Sequence, residues 1–107
     1  MQPTRMRTAV SDPYLRRRRI IVRAVKRSYA SLGYDADIIT SRTELSPGVL
    51  RLNLLEWDTF RIDVIRRIFV DMGLRRPIPR LARRRFPRTV DALQDWVEEV
   101  YLGMSSR

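Results

Sequence analysis

A chain of 107 residues with 44% hydrophobic residues is long enough for one buried core and too apolar to be wholly disordered. It contains no cysteine and no histidine, which excludes disulfides, thiolate nucleophiles, imidazole bases and histidine-based zinc sites. The net charge of +10 is uneven: residues 1–34 carry +8, 35–74 carry −2, 75–88 carry +7 and 89–107 carry −3, an asymmetry that favours a polyanionic partner.

Residues 1–10 show no periodicity and are expected to be a mobile segment. Ser11 or Asp12 can cap a helix, and Pro13 suits its first turn. From there Leu15, Val22, Val25, Tyr29 and Leu32 recur at helical steps, with Ile21 beside them, predicting a first helix over 14–32 that Gly33 ends. Arg16, Arg17, Arg18 and Arg19 stand in one turn of it, with Arg23, Lys26 and Arg27 further along.

Residues 34–55 read as a long connection. Tyr34 to Asp37 suits a turn closed by an Asx hydrogen bond. Ile38, Ile39 and Leu45 should pin the connection to the core. Ser46-Pro47-Gly48 is a second turn signal. The stretch from Val49 to Leu55 supports at most one helical turn.

The segment Glu56–Leu74 carries the apolar positions Ile62, Ile65, Ile68, Phe69 and Met72, with Val64 on the flank. Arg61, Arg66, Arg67 and Asp71 fall mostly on the other side. The pattern predicts a helix over 58–72, capped by Asp58 and closed by Gly73 in the left-handed conformation. Pro77 and Pro79 stop it. A short helix is expected over 80–85 with Leu81 and Ala82 inward, then a turn anchored by Phe86. Thr89 should cap a last helix, 89–102, whose stripe is Val90, Leu93, Val97 and Val100 with Trp96 and Tyr101 alongside. Its outer face has Asp95, Glu98 and Glu99, and Gly103 ends it. No run approaches the roughly 20 apolar residues that span a bilayer, and the first ten residues lack a signal-peptide core, so the default expectation is cytoplasmic.

Met72-Gly73-Leu74, Ile78-Pro79 and Thr89-Val90-Asp91-Ala92-Leu93, in this order after a first helix and a long loop, resemble the acyl carrier proteins over residues 18–101. The resemblance implies an all-α, four-helix bundle with a long loop between helices 1 and 2, occupying 11–103 as one domain with a frayed tail at 104–107. It implies that the residue opening the second helix would be the serine that carries 4′-phosphopantetheine. Counting back from Gly73 puts Asp58 there; matching the Asp-Ser-Leu tripeptide puts Thr59 there. Neither is serine. An aspartate has no hydroxyl to phosphorylate, and the extra methyl of threonine restricts its rotamer and crowds attack. No prosthetic arm is therefore expected, and no enzymatic activity.

Two function classes follow. The first is a carrier-like interaction module that lacks its arm and meets another protein through the second helix, with Trp57, Arg61, Arg66 and Arg67 as docking residues. Trp57 reads first as covering the core and second as an exposed anchor for that partner. The second is a small basic nucleic-acid-binding protein using Arg16–Arg19 and Arg83, Arg84 and Arg85. Membrane binding ranks third, because the first helix needs its apolar stripe for the core. Asp58 and Asp63 are five residues apart on one helix and point in different directions, so they are poor candidates for a carboxylate pair; a cap and a solvated charge explain them. Asp35 and Asp37 fit a structural turn better than a metal site.

Overall fold

The computed structural model describes residues 3–75 and 85–100, with side chains described over 13–75 and 85–99. These residues form four α-helices and no strand: α1 Pro3–Ser31, α2 Pro47–Leu50, α3 Leu54–Met72 and α4 Val90–Val100, with a 3-10 turn at Ala36–Ile38. The expected helix over 80–85 lies outside the described residues apart from Arg85, as do Tyr101, Gly103 and the tail at 104–107.

α1 begins earlier than its pattern predicts. The segment expected to be mobile is helical from Pro3, and Pro13 lies inside the helix rather than in its first turn. A proline there removes one backbone donor, but Met6, Arg7 and Ala9 are good helix formers upstream of it. The buried face of α1 is Ile21, Ala24, Val25, Ser28 and Tyr29, while Leu15 is exposed. α1 packs chiefly against α3 and then α4.

The connection between α1 and α3 is held by local hydrogen bonds. Asp35 Oδ1 accepts from Asp37 N at 2.9 Å, the Asx turn expected there. Ser46 caps α2, with Val49 N donating to its Oγ at 3.3 Å, and Pro47 occupies the first turn. Ile39, Leu45, Leu50 and Leu52 are buried, whereas Ile38 faces solvent. The Tyr29 hydroxyl donates to Leu50 O at 2.8 Å, fastening α2 to α1.

α3 also starts earlier than expected. Asn53, not Asp58, is its N-cap: Glu56 N donates to Asn53 Oδ1 at 2.8 Å, and Asn53 N donates to Glu56 Oε1 at 3.0 Å. This reciprocal box satisfies two donors that an uncapped end leaves open and contributes about 1 kcal/mol. The other Glu56 oxygen accepts from the Tyr34 hydroxyl at 2.8 Å, which raises the Tyr34 pKa from its ordinary value and ties the loop entrance to the cap. Gly73 closes the helix in the left-handed conformation at φ 71°, with Leu74 N donating back to Phe69 O at 2.8 Å.

Aromatic packing sets the rotation of α3. Trp57 now joins Phe60 in the helix, and both lie in the core beside Val64, Ile65, Ile68 and Phe69. Burying two large aromatic rings removes more apolar area than burying Ile62, so Ile62 turns outward and is 50% exposed. Trp57 stacks on Phe60 at 5.8 Å between centroids and meets Phe86 edge-on at 5.6 Å. Phe86 thus anchors its turn as expected. Thr89 Oγ1 accepts from Ala92 N at 3.1 Å and so caps α4, which buries Val90, Leu93 and Val97.

Candidate functional site

The second helix of the bundle resemblance corresponds to α3, and its sequence-predicted docking residues separate on folding. Trp57 is 3% exposed and Arg61 is 7% exposed, so neither presents its side chain to a partner. Trp57 takes its core alternative. Arg61 lies on the buried side because the helix is rotated, and its Nη2 donates to Asp58 Oδ1 at 2.7 Å. Asp58 lies inside the helix, in its second turn, so it faces no free N–H end to cap and its carboxylate pairs with Arg61 instead. A charge this buried is tolerated only when paired. Arg67 donates through Nε to Asp63 at 2.7 Å. Arg66 and Thr59 remain exposed.

The outer face of α3 is instead apolar. Leu55, Ile62 and Val70 stand at i, i+7 and i+15 and are 76%, 50% and 70% exposed. Thr59 and Arg66 alternate with them at i+4 and i+11, so all five fall on one side of the helix. The file extends about 22 Å along the axis, and exposed Leu54 adjoins its first end. The sequence reading missed this face because it assigned Ile62 inward. The capping-box spacing Asn53-x-x-Glu56 marks the helix start, but the rotation that exposes Ile62 is set by packing against residues distant in the chain.

Asp63, beside this face, is a titrating group with a defined environment. Burial opposes its ionisation, but the hydrogen bond from Arg67, the Ser28 hydroxyl and the charges of Arg67 and Arg66 together hold its pKa below the ordinary value. The buried Ser28 hydroxyl lies on the α1 side facing Asp63 and helps to lower its pKa. A depressed carboxylate stabilises the fold above its unfolded pKa, near 4, and that contribution disappears as pH falls through the lower folded pKa. Asp63→Asn should therefore lower stability by about 0.5 kcal/mol at neutral pH, the scale of an i,i+4 pair. Melts of wild type and variant should converge as pH drops below about 4; a difference that stays constant down to strong acid would contradict this origin.

The arginine quartet also divides. Arg17 Nε donates to Glu98 Oε2 at 2.7 Å. Arg18 pairs with Asp91, donates to Gln94 Oε1 at 3.2 Å, and has its guanidinium 5.9 Å from the centre of the Tyr14 ring. Gln94 is fully buried, and its Nε2 donates to Tyr14 O at 3.1 Å and to Glu98 Oε2 at 2.9 Å. Arg17 and Arg18 are thus fold-holding contacts between α1 and α4, and Glu98 leaves the outer face assigned to it. Arg16 and Arg19 stay exposed. Arg83 and Arg84 lie outside the described residues; Arg85 is exposed.

Among the described residues no cluster of acidic side chains could hold a metal ion, and no helix is long and apolar enough to cross a membrane. No protein-family model, curated protein or solved structure matches the chain.

Proposed function

We propose that this chain is a non-catalytic docking module, acyl-carrier-protein-like in the order of its elements and without a prosthetic arm, that binds a partner protein through the outer face of α3. The observation that carries this reading is the file of Leu55, Ile62 and Val70 left in solvent on a helix whose other side fills the core. Exposed aliphatic groups gathered on one side of a helix, interleaved with Thr59 and Arg66, suit an interaction surface. Arg66 is the cation within the file. The matching partner offers an apolar ridge or groove with a carboxylate opposite Arg66.

The arm-free part of the reading is supported by two placements. The attachment residue of a carrier opens its helix, whereas α3 opens at Asn53–Leu54, so Asp58 and Thr59 sit in the second turn. Asp58 is engaged by Arg61, which leaves Thr59 as the hydroxyl on the outer face.

One preparation tests both parts. Incubation with coenzyme A and a broad-specificity phosphopantetheinyl transferase should leave the intact mass unchanged; an added arm, mapped to Thr59, would overturn the arm-free reading. The same protein, immobilised beside an Ile62→Glu/Val70→Glu variant and a Leu15→Glu control, should hold a partner from its native source. The face variant should lose that partner while the control keeps it. Identical capture by all three ends the docking assignment.

A further inference from the structure

We infer that α1 carries a binding site for the phosphate backbone of double-stranded nucleic acid, formed by Arg16, Arg19, Arg23, Lys26 and Arg27. This site lies on a different helix from the α3 face and does not depend on that reading. The five residues stand at i, i+3, i+7, i+10 and i+11. They therefore share about a third of the helix circumference and extend about 16 Å along its axis. Four of them end in guanidinium forks, the group best shaped for phosphate oxygens.

Folding sorts the cations of α1 into two sets. Arg17 and Arg18 turn toward α4 and are joined to Glu98, Asp91 and Gln94. Arg16, Arg19, Arg23 and Arg27 stay exposed, and Lys26 is half-buried. Of the five, Arg23 alone reaches a carboxylate within the described residues, Asp71 at 3.9 Å, and its side chain is still 53% exposed. Arg19, Arg23, Lys26 and Arg27, with Arg18 and Val22, line a shallow groove of about 340 Å³ on this face. Like charges at helical neighbour spacing repel one another, and no core contact requires them there. A polyanion laid along the helix removes that repulsion.

The surroundings select duplex backbone over other anions. Over residues 21–29 the apolar face of α1, with Ile21, Val25 and Tyr29, is in the core, so this stretch has no free apolar face to sink into a bilayer. Unpaired bases need aromatic rings to stack on. Among the described rings Tyr29, Trp57, Phe60, Phe69 and Phe86 are buried, Tyr34 and Trp96 are half-buried and lie off this file, and the exposed Tyr14 has Arg18 over its face. What remains is a file of cations, which reads charge and spacing rather than sequence.

Anisotropy of a labelled mixed-sequence duplex, measured across salt, tests the site. Five phosphate contacts should give a log–log slope of about −4.5, so affinity falls roughly 500-fold between about 50 and 200 mM salt. Arg19→Glu, Lys26→Glu and Arg27→Glu combined should flatten the slope by about three units and weaken all sequences alike. A charge-matched triple, Arg42→Glu, Arg75→Glu and Arg88→Glu, should leave the slope nearly unchanged. Circular dichroism checks that both triples fold. Arg19→Gln with Arg27→Gln, which removes charge without reversing it, reads the same slope if the first triple does not fold. Equal losses in the two triples would assign the binding to net charge and overturn the site. Tighter binding at equal salt to single strands, anionic phospholipid vesicles or polyglutamate would overturn the choice of partner.

Discussion

Phe60→Ala is expected to destabilise the protein by about 4 kcal/mol, the upper range for truncating a buried aromatic. Phe60 is fully buried and lies between two other rings. Trp57 stacks on one side, and Tyr29 meets it edge-on at 6.3 Å. The neighbours are poorly placed to collapse into the vacated space. The Tyr29 hydroxyl is held by Leu50 O, and its ring stacks on Tyr34 at 5.2 Å; Trp57 is held against Phe86. The cavity therefore persists and adds to the lost transfer energy. A domain of this size has total stability of roughly 5–15 kcal/mol, so the variant should unfold at much lower urea with an unchanged m-value. A loss under about 1 kcal/mol would mean that the aromatic cluster is not the core.

The second large effect is expected at the contact between α1 and α4. Arg17 and Glu98 are only 18% and 14% exposed, so their ion pair is largely removed from water. Arg17→Met leaves the Glu98 carboxylate with Gln94 as its remaining partner, and Glu98→Met leaves a guanidinium beside an apolar neighbour. Each single change should cost about 3 kcal/mol, because one buried charge loses its counterion. The double change should cost clearly less than the two singles together, since paired replacement by methionine removes both charges. Because the pair is shielded, its coupling energy should change little with salt. Strict additivity in the cycle would show that the two side chains act independently.

Much of the helical content is legible in local chemistry. Gly73 ends α3 because only a residue without a Cβ takes φ 71° freely. Thr89 starts α4 through the hydroxyl bond that its side chain can make. Asp35 and Ser46 form their turns for the same reason: short polar side chains reach back to the adjacent backbone. The stripe of α4 is legible as well in Val90, Leu93 and Val97, although Gln94, buried beside them, is not.

What periodicity does not specify is rotation. On α3 two sets of positions satisfy a helical stripe, one with Ile62 inward and one with Trp57 and Phe60 inward. The choice falls to the packing of α1 and Phe86 against the larger rings, which are not neighbours in sequence. Arg61 becomes buried and Ile62 exposed as consequences of that one rotation, and with them the exposed face of α3 gains an aliphatic side chain beside Arg66. The helix start that accompanies the rotation was written locally in Asn53 and Glu56.

By itself, then, the sequence determined an all-helical chain, its main capping and turn signals, the aliphatic positions of α4 and a strong excess of arginine on α1, because each depends on residues within a few positions of one another. The tertiary structure alone decided which arginines of the 16–19 run hold α4 and which face outward. Those contacts join residues far apart in the chain, and a carboxylate selects its guanidinium only once folding has placed the two side by side.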